Sequence, residues 1–257
     1  MEFNLMERVL EITNGYKAEV SRTKLLSDFL ERVATSKANE LISHYTSLDQ
    51  VISGEVVHSA SPGDRRFVSV PKQLLIEASI PLRKQGNDLL SLPELCLRMT
   101  YVHLVTLFEA ALSDMIRAAL LYKPQILKSK KMISCEDILS EPDMGSLVTK
   151  IVDKEISDLT YGSIDDLVEY LKNRLHLPID LLPEEKDDLN WCKAQRNLLV
   201  HNQGKVDAKF LRMSSDVNYS LGENIIITES NWDDASYLLE RIVLALQSAL
   251  VRKFKLA

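Results

Sequence analysis

Apolar residues recur at three- and four-residue intervals over most of the chain, the spacing that gives a helix one apolar side. Between residues 3 and 50 breakers are few. Leu25, Leu26, Phe29, Leu30 and Val33 fall on one face with charged residues between them, which predicts two or three N-terminal helices. The pattern changes at "EVVHSASPGDRRFVSV", where β-branched residues flank Ser61-Pro62-Gly63-Asp64. Pro and Gly hold the central places that a type II turn prefers, so a small hairpin or an exposed loop is expected. From Leu92 to Tyr122 the spacing is helical again, apolar nearly all round, and stops before Pro124. A helix of that kind must be covered by several neighbours or by another subunit.

Ser134 with Asp137 three residues on has the form of a capping box for a short helix to about Leu139, and further helices are expected near 145–158 and 163–174. "LPIDLLPEEKDDLNW" opens a helix with acidic residues in its first turn, as the helix dipole favours. It should run from about Pro183 to Asn202 and stop at Gly204, a residue able to take the left-handed conformation. "VNYSLGENIIITES" reads as two short strands around Gly-Glu-Asn. Ser230 with Asp233 then opens a last helix that closes on the cations of "RKFK". No internal repeat, low-complexity tract or heptad array is present. The expected fold is mainly α: a helical bundle with a small β-hairpin, in which residues 1–85 are an N-terminal helical extension of open role and 86–257 the main helical domain. A sensor, an oligomerisation arm and an autoinhibitory cover all suit the extension.

At 257 residues, 46% of them hydrophobic, the chain can bury a sizeable core. Its net charge of −6 excludes a broad basic surface that tracks nucleic acid, while leaving room for a local phosphate site. The basic cluster at Lys128, Lys130 and Lys131 reads first as a solvated loop. Cys96, Cys135 and Cys192 lie far apart, so neither a disulfide framework nor a cysteine zinc site is expected, and a reducing cytoplasm fits. The N-terminus lacks the features of a signal peptide, and the stretch from Leu95 to Tyr122 is interrupted by charged residues, so no export and no membrane span are expected.

No phosphate-binding glycine loop, His-Glu-x-x-His, Gly-x-Ser-x-Gly or paired acidic metal motif occurs, and no cofactor or metal is called for. His44, His58 and His176 have no patterned companions and read as surface or structural histidines.

One stretch stands apart: "QRNLLVHNQG", residues 195–204. On a helical wheel Arg196 falls in the middle of an apolar arc formed by Leu189, Cys192, Leu199 and Val200. A desolvated guanidinium costs several kcal/mol unless it finds an anion, about as much as a small domain can spare. Asn197 and His201, four residues apart, share a polar sector with Asn190 and Lys193. His201 occupies the last turn, where the helix C-terminus favours a cation. Two readings remain open here. Arg196 either awaits a ligand phosphate or pairs with an acid of a neighbouring helix, leaving His201 an ordinary terminal histidine.

"RNLLVH" resembles the Arg-x(4–6)-His signature of the HEPN superfamily in its Arg-Asn-x-x-x-His form, and "VHNQG" followed by Val206 and Asp207 is similar to the prokaryotic nuclease branch. The bare spacing is weak, because "RMTYVH", Arg98 to His103, satisfies it inside the long helix. Only the later occurrence has the Asn, the helix end and the glycine stop. The long helix with "LFEAALSDMIRAAL", Pro124, and the hairpin and terminal helix after the motif also resemble the family's arrangement, over roughly residues 92–257.

The resemblance implies a HEPN-like helical bundle and a metal-independent endoribonuclease, a toxin or anti-phage defence effector acting on RNA. Arg196 would hold the scissile phosphate, His201 would act as acid or base, and Asn197 would orient the histidine or the RNA. Arginine suits phosphate through its planar fork, and histidine suits proton transfer because its ordinary pKa is about 6.5. One copy supplies one such histidine, so separate acid and base would come from a homodimer with a composite site, as the family commonly builds. An antitoxin or other regulatory protein is a further implied partner. Glu109, Asn202 and Lys193 are candidate supporting residues, and Glu109 equally suits a structural pairing with Arg196 or Arg117. The alternatives are a catalytically inactive HEPN-like module that binds RNA or protein, and an unrelated all-α protein in which the helix is structural.

Overall fold

A computed structural model describes residues 4–53, 70–127, 134–177, 179, 181–213 and 219–255. The elements are α1 (Leu5–Ser53), α2 (Lys72–Tyr122), a short 3₁₀ turn at Pro124–Leu127, α3 (Cys135–Ser140), α4 (Met144–Tyr161), α5 (Ile164–Asn173), α6 (Pro183–His201), α7 (Ala208–Met213) and α8 (Glu229–Phe254). The protein is mainly α, and no strand occurs among the described residues. None of the described helices is long and apolar enough to cross a membrane. The turn expected at Ser61–Asp64 and the cluster at Lys128, Lys130 and Lys131 lie outside the described residues, as does His58.

Two compact units divide the chain: residues 1–23 with 101–257, and residues 24–100. In the first, the second half of α2 buries Tyr101, Leu104, Phe108, Leu112, Met115 and Leu120 along one broad side of the helix, while His103, Thr106 and Ala110 face out on the other. Those apolar side chains are covered by neighbouring elements of the same unit. α6 packs on α5, α7 and α8, and α8 brings Trp232, Leu239, Ile242 and Leu246 into the same core. Lys17 of α1 pairs with Glu240 of α8 at 3.0 Å.

The second unit consists of α1 from Lys24 onward and α2 up to Thr100. The two segments run antiparallel, since Ala38 and Ile42 meet Gly86 and Tyr45 stacks with Arg83 at 5.7 Å. A Cβ at Gly86 would lie 2.9 Å from Ile42 Cγ1. Gly86→Val should therefore force the helices apart and destabilise the protein by about 1–3 kcal/mol, read by thermal denaturation, whereas Gly86→Ala needs only a turn of the Ile42 side chain and gains helix propensity.

Several boundaries differ from the sequence expectation. The N-terminal region is one continuous helix rather than two or three, with Gly15 inside it. The apolar face at Leu25, Leu26, Phe29 and Val33 is exposed, and the small side chains of Ser27, Ala34 and Ala38 are buried instead. α2 begins at Lys72, not Leu92, and runs through Pro81 and Pro93. α3 starts after Ser134 as expected, although the Asp137 side chain of the proposed capping pair lies outside the described set. α8 is capped two residues earlier than expected, by Thr228, whose Oγ1 accepts from the Asn231 N–H while Asn231 Oδ1 accepts from Thr228.

The expected strand pair around Gly222-Glu223-Asn224 is absent among the described residues. The turn falls at Leu221–Gly222, with Gly222 at φ +82°. Beyond the turn, Asn224 forms a single antiparallel bridge with Lys205 of the segment leaving α6. Val206 N donates to Glu223 O and Ile225 N to Gly204 O, both at 2.8 Å. These bonds give backbone groups just beyond the turn partners in the α6 exit segment.

Candidate active site

α6 starts with Pro183 in its first turn, where a missing N–H costs nothing, and with Glu184 and Glu185 at the positive end of the dipole. Glu185 Oε2 also accepts from the Leu182 N–H at 2.8 Å. The helix ends at His201 with Asn202 as its C-cap. Gln203 and Gly204 follow at φ +55° and +80°, and Gly204 N donates to Leu198 O at 2.9 Å. The left-handed stop expected at Gly204 is present, spread over two residues. Asn202 Nδ2 donates to Lys205 O at 2.5 Å and holds the exit of the helix in place.

The buried arc of α6 is centred one residue away from the expected position. Leu189, Cys192, Ala194, Gln195 and Leu198 are buried, while Val200 is 50% exposed. Gln195 sits in the middle of this arc, 3% exposed, and its Oε1 accepts from the Tyr101 hydroxyl of α2 at 2.6 Å. Arg196 lies on the flank of the arc, its side chain 21% exposed.

Burial, then the neighbouring Cys192, pushes the Tyr101 phenol far above its ordinary value, and burial raises the Cys192 thiol. Neither is a proton donor or nucleophile at neutral pH. Tyr101 and Gln195 instead fix the rotation of α6 against α2. Tyr101→Phe should cost about 1–3 kcal/mol because it strands a buried amide oxygen. Adding Gln195→Leu should recover most of that loss in the same denaturation experiment.

Arg196 has an anion partner within the chain. Its Nη2 is bonded to the Glu109 carboxylate of α2, and Nη1 donates to Asn197 Oδ1 at 2.9 Å. Nε is buried without a partner. Of the two pairings open to Glu109, the structure forms the one with Arg196, and Arg117 pairs with Asp153 at 3.1 Å. A guanidinium has five N–H donors. Two are engaged here, which leaves one further N–H on each Nη besides the buried Nε–H.

Arg196, Asn197, His201, Lys193, Asn202 and Glu109 all line one open cleft of about 780 Å³. Five come from one helix end and so are neighbours by sequence alone. Glu109 stands 87 positions earlier and is brought there by the packing of α2 on α6. The far walls are the α4–α5 link at Gly162 and Ser163, and α7 with Asp207 and Lys209. Lys193 Nζ donates to Gly162 O at 2.9 Å, which ties α6 to that link and leaves two ammonium donors. Asp207 caps α7, its Oδ1 accepting from Phe210 N at 2.8 Å. His201 is exposed at the rim, and neither Arg196 nor Asn197 bonds to it among the described contacts.

The second Arg-x(4)-His occurrence is not built this way. Its His103 is an exposed residue in the middle of α2 and does not line the cleft. His44 and His176 are likewise exposed and lie apart from it. Lys209, Phe210 and Gln195 carried no sequence signal beyond ordinary helix positions. Only a wheel weighted by actual burial would have picked out Gln195.

Chemically, the cleft offers cationic donors from Arg196, Lys193 and Lys209, amides from Asn190, Asn197 and Asn202, and an exposed imidazole. That set suits an anion with several oxygens and a proton to move. Among the described residues, no group of three or more His, Cys, Asp or Glu side chains could hold a metal ion. In comparisons with protein-family models, curated proteins and solved structures, the chain has no match.

Proposed function

We propose that this protein is a metal-independent endoribonuclease of HEPN type, a toxin or anti-phage defence effector that works as a dimer with a composite active site. The observation that carries the reading is the gathering of Arg196, Asn197, His201 and Lys193 around one open cleft, with Glu109 anchoring the arginine from a different helix.

In this reading Glu109 and Asn197 hold the guanidinium while its remaining Nη N–H groups take two oxygens of the scissile phosphate. A base removes the proton of the 2′-hydroxyl, whose oxygen attacks phosphorus. The bond from phosphorus to the 5′-oxygen breaks, an acid protonates that oxygen, and a 2′,3′-cyclic phosphate and a 5′-hydroxyl remain. Arg196 stabilises the charge that builds on the phosphorane. His201 supplies one of the two proton transfers, and the second copy's equivalent supplies the other.

In the presence of EDTA the protein should cut RNA of mixed sequence and leave the same RNA intact when its 2′-hydroxyls are methylated. Equal cutting of both substrates would sink the mechanism.

The Glu109–Arg196 pair is the specific observation that favours a second reading, a HEPN-like module that binds RNA or a protein without cutting. A guanidinium already neutralised by a carboxylate holds phosphate less tightly than a free one. Retention of RNA by the wild-type chain with no cleavage under the same conditions would select that reading.

A further inference from the structure

Residues 24–100 form a helix pair built inside out. Their fully buried residues, among those described, are Ser27, Ala34, Ala38, Ser79, Gly86 and Thr100, and no large apolar side chain is among them. Burial of small side chains alone does not offset the entropy of ordering two long helices. Each helix meanwhile exposes an apolar seam with the three-then-four spacing of coiled-coil contact positions: Leu26, Phe29 and Val33 on α1, and Leu92, Leu95 and Met99 on α2. All six are between 38% and 63% exposed. The register set by Gly86 against Ala38 and Ile42 places Leu26 level with Met99 and Val33 level with Leu92, within about a residue. The two seams therefore share one end of the helix pair.

We propose that these seams are the interface with a second copy of this chain, the two helix pairs joining as a four-helix bundle in which each α1 seam packs on the partner's α2 seam. Three observations favour a second copy. The seams are matched in spacing and length, so a two-fold axis satisfies both at once without another sequence. They leave six large apolar side chains 38% to 63% exposed, a substantial share of the roughly 800 Å² that one partner contributes to a standard stable interface. The charged flank of the α1 seam is internally balanced: Arg22 is bonded to Glu19, Lys24 lies 3.9 Å from Asp28, and Lys37 is 2.8 Å from Glu40. A surface with no excess of cations suits neither RNA nor an anionic membrane.

The test is the mass of the full chain in solution by sedimentation equilibrium across micromolar concentrations. Wild type should have twice the chain mass, and Phe29→Glu with Leu95→Glu should halve it without loss of helix by circular dichroism. Should that variant lose helix, Phe29→Ser with Leu95→Ser, which adds no charge, should lower the mass in the same way. Leu139→Glu, at an exposed site on α3, should remain dimeric. A monomeric wild type, or a dimer that persists in the folded seam variants, would overturn the proposal. The readout is mass rather than cleavage, so the result is independent of whether the Arg196 cleft cuts RNA.

Discussion

His201→Ala is expected to slow metal-free RNA cleavage by about 100- to 10,000-fold, the range that a positioned proton-transfer group supplies. Its thermal midpoint should hardly move. The side chain is exposed at the rim of the cleft, and surface substitutions usually stay within about 0.5 kcal/mol. Any loss from removing a cation at the helix C-terminus is of similar size. A large fall in rate with an unchanged melting curve would place His201 in the chemistry rather than in the scaffold. The comparison needs single-turnover rates in EDTA beside a denaturation scan of the same preparations. His103→Ala is the internal control: it has the same motif spacing, sits in the middle of α2 away from the cleft, and should leave the rate unchanged.

Arg196 and Glu109 should separate stability from activity. Arg196→Leu leaves the Glu109 carboxylate without its partner, and Glu109→Leu does the same to the guanidinium. Breaking a fully buried pair costs about 3–5 kcal/mol. Both side chains here are 21% exposed, so water recovers part of that and about 2 kcal/mol is expected for each single change. The double replacement Glu109→Leu with Arg196→Leu removes both charges and should regain most of the lost stability. Cleavage should not return with it, because the phosphate ligand is gone. Additive destabilisation in the double variant would mean that the ion pair is not the interaction that matters. Recovered cleavage would remove Arg196 from the mechanism.

Much of the fold was legible because helices announce themselves by period. α4, α5 and α6 begin and end within a few residues of where spacing, the acidic first turn of α6 and Gly204 put them. The failures have local causes. Two or three helices were expected where α1 is one, and it runs through Gly15. A glycine inside a helix costs only about 1 kcal/mol, which packing of the flanking Thr13 and Tyr16 readily offsets. A start at Leu92 was expected, but α2 begins at Lys72 and carries Pro81 and Pro93 in its interior, a tertiary override of a strong local preference.

Of the site, the cluster on α6 was legible from the polar sector of Asn190, Lys193, Asn197 and His201, all of which line the cleft. Its exact rotation was not. Counting Leu199 and Val200 as core placed Arg196 at the centre of the buried arc. The core is instead organised on the Tyr101–Gln195 hydrogen bond, and a buried polar pair 94 positions apart leaves no periodic trace. The anion beside Arg196 was similarly a choice among acids until α2 and α6 were packed together.

The measurement that bears most directly on the central claim is end-group analysis of RNA incubated in EDTA with wild type and with His201→Ala. Fragments ending in 2′,3′-cyclic phosphate with wild type, and intact RNA with the variant, are the predicted result. RNA left intact by wild type, or the same fragments in equal yield from His201→Ala, would contradict it.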